Sequence, residues 1–179
     1  MIEVIFPSAG HHDNDPGAVY NGVKEADKNK EFRNLVSKHL GSHNHIMDKD
    51  SETNAQHQKR IQPGSGSVLL DVHFNASANP SATGTEMIVA NNASKLSIAM
   101  AKELANGTAC ILGIKNRGVK TEAQTARGKI GILNLGAGIA VLAELCFISN
   151  KDDMQRYESC KEELAKFFAQ VLIKYDNMI

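Results

Sequence analysis

The sequence has no tryptophan and only 5% aromatic residues, which argues against a platform on which bases or sugar rings would stack. It also lacks an excess of charge of either sign. Lys+Arg and Asp+Glu are both 20, for a formal net charge of zero, so neither a polybasic grip on nucleic acid nor a patch for an anionic membrane dominates. No apolar run approaches the roughly 18–20 residues that span a bilayer. The opening Met1-Ile2-Glu3-Val4-Ile5-Phe6 has neither a positive n-region nor a hydrophobic segment of signal-peptide length. The expectation is a protein made in the cytoplasm without a signal peptide, inserting in no membrane and binding no nucleic acid. Cysteine is scarce: Cys110, Cys146 and Cys160 are an odd set without C-x-x-C spacing. That points to small packed hydrophobes in a reducing compartment, and away from a disulfide framework or a zinc knuckle.

Several familiar motifs are missing as well. There is no G-x-S-x-G elbow, no phosphate loop and no H-E-x-x-H helix. Any nucleophile or metal must therefore be assembled from dispersed residues.

What is present is one domain's worth of chain, 179 residues with 42% hydrophobic composition, enough to enclose a core. Glu3 to Pro7 predicts a strand, followed by the polar, turn-rich loop Ser8-Ala9-Gly10-His11-His12-Asp13-Asn14-Asp15-Pro16-Gly17. Phe32, Leu35, Val36 and Leu40 recur at helical spacing over Lys24–Leu40. His43–Met47 predicts a second strand, and 54–61 a weak helix. Val68–Phe74 and Gly84–Ala90 predict strands, Ala93–Asn106 a helix, and 107–127 an irregular surface excursion. Ile139–Cys146, nearly all apolar, predicts a strand buried on both faces. The last helix follows Asn150 as N-cap, with Asp152 and Asp153 in its first turn and Met154, Tyr157, Leu164, Phe167, Phe168, Val171, Leu172 and Tyr175 on its buried side. Strands alternating with helices, without internal repeats, give an α/β single domain over 1–179, with a central, mainly parallel twisted sheet flanked by helices. In such sheets ligands sit beyond the carboxyl ends of the strands, where His11, His73 and Glu144 would fall.

Glu144 interrupts an apolar run, and an ionised carboxylate there is costly unless it meets a cation, a metal or strong donors. A buried salt bridge would justify it, and so would a catalytic carboxylate with a raised pKa. His73 shares a strand face with Leu69, Asp71 and Asn75, while Val68, Leu70 and Val72 take the other. By itself it could be a hydrogen-bonded core histidine with Asp71 as its partner. His11 and His12 could equally be exposed loop residues. Glu25, in a helical first turn, is ordinarily explained by the helix dipole. Taken together, two histidines and one glutamate are a recognised catalytic-zinc set with a fourth position open to water. There zinc would activate the water and polarise a carbonyl, while a nearby carboxylate moves the proton to the leaving nitrogen.

Three separated segments resemble the zinc-dependent N-acetylmuramoyl-L-alanine amidases of the amidase_3 type. Ala9-Gly10-His11-His12-Asp13-Asn14-Asp15-Pro16-Gly17-Ala18 with Asn21-Gly22-Val23-Lys24-Glu25 is similar to the family's opening G-H-G-G-x-D-P-G-A…N-G…E. Val72-His73-Phe74-Asn75-Ala76 is similar to I-H-x-N-A, and Val141-Leu142-Ala143-Glu144-Leu145-Cys146-Phe147-Ile148-Ser149-Asn150 to V-L-x-E-x-G-F-I-S-N. The resemblance covers about residues 3–175. It implies that His11, Glu25 and His73 bind Zn2+, that Glu144 is general base and acid towards metal-bound water, and that Asn75 helps hold the site or substrate. The implied reaction cleaves the amide between N-acetylmuramic acid and L-alanine in peptidoglycan, by a monomer of the endolysin or autolysin kind. Because that substrate lies outside the membrane, phage-type release or a non-standard export route is expected. Three positions depart from the pattern. His12 stands where glycine is usual, which keeps it open as the ligand; Asp71 replaces a serine or other small residue, as a group behind His73; Cys146 replaces a glycine. The competing readings are a zinc amidase of small N-acyl amino acids or peptides, and a non-catalytic wall-binding module.

Overall fold

The computed structural model describes residues 4–179, so the predicted start of the first strand at Glu3 lies outside the described residues. The chain runs β1 (Val4–Ala9), the short hairpin β2 (Val19–Tyr20) and β3 (Val23–Lys24), α1 (Glu25–Leu40), α2 (Asn54–Ile61), β4 (Ser67–Asn75) and β5 (Thr85–Val89). It continues through α3 (Lys95–Leu112), β6 (Asn116–Thr121), two single 3-10 turns (Glu122–Gln124 and Gly131–Asn134), β7 (Ile139–Phe147) and α4 (Lys151–Asp176).

Five strands form one sheet in the order β1-β4-β7-β5-β6. β1, β4 and β7 run parallel; β5 is antiparallel to β7 and parallel to β6. This is the expected α/β domain with a mainly parallel sheet. Two of its inner strands, β4 and β7, are buried along nearly their whole length because both faces are covered.

One face packs on α1, α3 and α4, through Val68, Leu70, Val72, Val141 and Ala143 from the sheet and Phe32, Leu104, Tyr157, Leu164 and Phe168 from the helices. Phe32 meets Phe168 edge-on with ring centroids 5.2 Å apart, and Phe74 meets Tyr157 at 4.9 Å, geometries that aromatic quadrupoles favour. The opposite face carries Phe6, Leu69, Ile88, Ala140 and Leu142, covered by Ile61 of α2 and by Ile130, Ile132 and Leu133. Towards the carboxyl ends of β4 and β7 this cover stops. The same alternation then exposes Asp71, His73 and Asn75 of β4 and Glu144 of β7 to a cleft.

Two local devices fix that end of the sheet. The β4–β7 register shifts between His73 and Asn75, where Asn75 pairs with Phe147 although His73 pairs with Glu144, a bulge of the kind that re-aims a side chain. Asn150 caps α4 by accepting from the amides of Asp152 and Asp153. The buried Asp153 carboxylate then accepts from Phe147 N at 3.0 Å, Gly84 N at 3.1 Å and Thr83 Oγ1 at 2.5 Å.

Two expectations need correction. His43–Met47 forms no strand, only a single parallel bridge between Ile5 and His45. The imidazoles there bond to local carbonyls, His43 Nδ1 to Leu40 O and His45 Nδ1 to His43 O, which competes with ladder pairing. The segment 107–127 is not an excursion in its first half. α3 continues to Leu112, Gly113 closes it in a left-handed conformation (φ 62°), and Asn116–Thr121 adds an edge strand to β5. Its exposed, charged pattern suits an edge and hides the strand from a hydrophobicity reading.

Candidate active site

Three side chains from three elements converge. β1 hands its hydrogen-bond ladder on through Gly10 N to Val72 O (2.9 Å), and His11 then turns into the cleft, buried. Glu25 opens α1 with its carboxylate directed inward: Oε2 accepts from Ala18 N at 2.9 Å and Oε1 from Phe74 N at 3.1 Å. His73 projects from β4. His11 Nε2 lies 3.3 Å and His73 Nδ1 3.0 Å from the same Glu25 Oε1, and one donor atom from each residue can be chosen so that all lie within 4.8 Å.

The other ring nitrogens are already committed. His11 Nδ1 bonds to Asp15 Oδ2 at 2.9 Å, and His73 Nε2 to Asp71 Oδ2 at 3.2 Å. Carboxylates on the far nitrogens hold both rings so that the near nitrogens meet. The approach is tight enough to demand glycine. A Cβ on Gly10 would lie 2.0 Å from His73 Nε2, and one on Gly17, which has φ +62°, 2.6 Å from both Glu25 Oε2 and His11 Cδ2. His12, by contrast, is half-buried on the turn, where its Nδ1 accepts from Asn14 N at 3.3 Å; it is not part of the cluster.

The electrostatics follow from burial and partners. Burial raises the pKa of Glu25, but the hydrogen bonds from His11 and His73 outweigh it and hold the carboxylate well below its usual range. Burial lowers the pKa of His73, yet bonds to Asp71 and Glu25 push it up to about 10. His11 is raised against the same burial effect, through Glu25.

Glu144 stands on the same sheet face, paired across the ladder with His73 and with Glu86. Its Oε2 is out of solvent and has no hydrogen-bond partner among the described residues. Burial pushes its pKa up to about 7, with the His73 charge pulling against it. Such a carboxyl can both take and give a proton near neutrality.

All four residues line one cleft of about 610 Å³. Asn75 lines it too, but its amide is engaged: Nδ2 donates to Glu86 Oε1 at 3.1 Å and Oδ1 accepts from Ala76 N at 3.0 Å. Glu86, Lys120 and Arg127 complete the opposite wall and were not singled out from sequence. A signal existed for Glu86, a carboxylate within the apolar strand Thr85–Val89, the same signal that marks Glu144. Arg117 Nε at 2.8 Å and Lys120 Nζ at 2.7 Å neutralise it.

Residues 5–174 match the model of the family Amidase_3, described as N-acetylmuramoyl-L-alanine amidase. The chain belongs to the Amidase_3 family. Among curated relatives it is 26% identical over 185 residues to the N-acetylmuramoyl-L-alanine amidase LytC of Bacillus subtilis, covering 97% of this chain and 35% of that one. It is 25% identical over 186 residues to an endolysin of Bacillus phage SPP1, covering 99% and 68% respectively. The chain thus spans about a third of the first relative's length and about two thirds of the second's. In fold it is similar to the catalytic domain of CwlV, an N-acetylmuramoyl-L-alanine amidase from Bacillus (Paenibacillus) polymyxa, with TM-score 0.81 and 22% identity over 100% of both chains. The segments that carry the resemblance in sequence meet in space: the His11 loop, the start of α1 and the ends of β4 and β7.

Proposed function

We propose that this Amidase_3 chain hydrolyses the amide between N-acetylmuramic acid and L-alanine in bacterial peptidoglycan, using a zinc ion held by His11, Glu25 and His73. One observation carries the reading. His11 Nε2 and His73 Nδ1 converge on one oxygen of the Glu25 carboxylate, and Glu144, whose Oε2 has no partner among the described residues, lines the same cleft.

The donor chemistry fits. Two imidazoles and one carboxylate suit zinc and leave a coordination position open. The Asp15 and Asp71 carboxylates fix the ring orientation that a metal needs. Without a metal, Glu25 Oε1 is held by both imidazoles; a divalent cation would replace those contacts and the proton on His73. A metal held by these three residues would supply Lewis-acid polarisation of the scissile carbonyl and activation of a water near neutral pH. Glu144 takes the proton from that water and delivers it to the alanine nitrogen as the C–N bond breaks, which regenerates its starting state. Asp71 keeps Nδ1 of His73 turned towards the cluster. Every one of these groups comes from a single chain, so a monomer suffices.

The test pairs elemental analysis with peptidoglycan digestion. About one zinc per chain is expected, with new L-alanine amino termini that vanish on chelation and return with zinc. A folded protein that takes up no zinc would overturn the ligand assignment. Hydrolysis confined to small N-acyl amino acids would overturn the substrate.

A further inference from the structure

The wall facing the metal ligands has a chemistry of its own. Glu86 on β5 is a lone carboxylate bonded by Arg117 and Lys120 of β6 and by Asn75. Arg127, on the segment after β6, lines the same cleft and a smaller side pocket beside Asp71 and His73. It makes no hydrogen bond or ion pair among the described residues. Among the residues of this wall that line the cleft, Lys120 and Arg127 are cations and Glu86 is the carboxylate, one formal positive charge in excess on a chain whose net charge is zero.

The wall is also held in place. Glu122, buried at 2% exposure, accepts from Asn91 N at 3.2 Å, Ile130 N at 2.6 Å and Asn134 Nδ2 at 2.9 Å. A single carboxylate therefore ties the beginning of the segment to its end at Ile130 and to the end of β5. Arg127 sits between these fixed points. Arg127 is exposed at the cleft and its charge reaches Glu144, and a guanidinium without a hydrogen-bond partner among the described residues offers two parallel donors to a carboxylate.

We infer that Arg127, beside the Glu86-paired Lys120, forms a subsite for a carboxylate on the peptide half of the substrate, so that the enzyme selects stem peptides whose second residue keeps a free α-carboxylate over those in which it is amidated. The inference rests on the proposed amidase function. It follows from the charge of the two halves: the muramoyl lactyl group has spent its carboxylate in the scissile amide, and the N-acetylated sugar is neutral. Only the peptide side presents anions to a cationic wall.

The test uses the zinc-loaded full chain and two dipeptides. Both are L-alanyl-D-glutamate with the γ-carboxyl capped as methylamide; one has the α-carboxylate free and the other has it amidated. Titration calorimetry should show the acid binding about tenfold more tightly, the scale of one charge-assisted hydrogen bond, and the difference should shrink with added salt. Arg127→Gln should bring the acid down to the amide's affinity, while Arg127→Lys should keep part of the preference. Equal affinities in the unmodified protein, no measurable binding of the acid, or a preference that survives Arg127→Gln would each overturn the subsite. Peptidoglycan digestion separates this failure from that of the amidase reading. Cleavage without acid preference sinks only the subsite, and acid preference without cleavage sinks only the reaction.

Discussion

Replacing Glu144 by glutamine keeps the shape of the side chain and removes its ability to take a proton. Activity is expected to fall on the order of 100- to 10,000-fold while bound zinc stays near one per chain, as kcat and elemental analysis on the same sample would report. His73→Ala should instead lose the metal. Asp71→Asn tests the orienting carboxylate behind it, and the zinc affinity measured against a competing chelator should drop about 10- to 100-fold. At this scale the sequence was legible where a side chain conflicts with its neighbours, as Glu144 does in an apolar strand. Between His11 and His12, two adjacent imidazoles in one polar loop, it favoured His11 through the resemblance and left His12 open. Only the path of the backbone out of β1 separates them, sending one ring onto Glu25 and the other onto the turn.

Elements differ in how openly they announce themselves. α4 shows its cap, its acidic first turn and its apolar stripe in sequence, and the structure reproduces all three. β6 shows nothing of the sort, because Asn-Arg-Gly-Val-Lys-Thr at a sheet edge owes its form to the neighbouring β5 and not to its own pattern. Asp153 joins these levels. It looks like a first-turn acid favoured by the helix dipole, yet its carboxylate is buried and takes two backbone amides and a hydroxyl from two other places in the chain. Asp153→Ala should therefore cost more than a cap, about 2–3 kcal/mol, whereas Asn150→Ala should cost about 1 kcal/mol. Urea unfolding of the two variants would order them, and equal losses would count against the tie.

For the molecule as a whole, the metal-free site should leave a signature in stability against pH. His73 is raised from 6.5 to about 10, so its stabilisation is complete below about pH 6.5 and is lost as pH rises towards 10. Glu25 is depressed below its ordinary 4.5, so its stabilisation is present above that value and is lost in acid. Glu144 is raised to about 7, which makes ionising it in the fold a growing cost as pH climbs from about 4.5 through 7. The three together place maximum stability of the chelated protein near pH 4.5, with a decline on the alkaline side that comes first from Glu144 and above about pH 6.5 also from His73. Zinc should flatten that decline, since it takes over the charge that the His73 proton supplied, and should itself bind more weakly as pH falls. Thermal melts across pH with chelator and with zinc would show this; coincident curves would argue against metal at the cluster. Among the described residues no helix is long and apolar enough to cross a membrane.

The sequence alone determined the α/β class, because the alternation of apolar strands with amphipathic helices is written in local periodicity. It also carried the family resemblance, because His11, Glu25, His73 and Glu144 each sit in a short segment of fixed spacing. It could not say that residues 11, 25 and 73 share one carboxylate oxygen, that β5 and β6 run against β7, or that Glu86, Lys120 and Arg127 face the ligands across a cleft. Those facts depend on strand order and register, which are decided by how distant segments bury their apolar faces together. Local patterning records which face is buried but not which neighbour covers it.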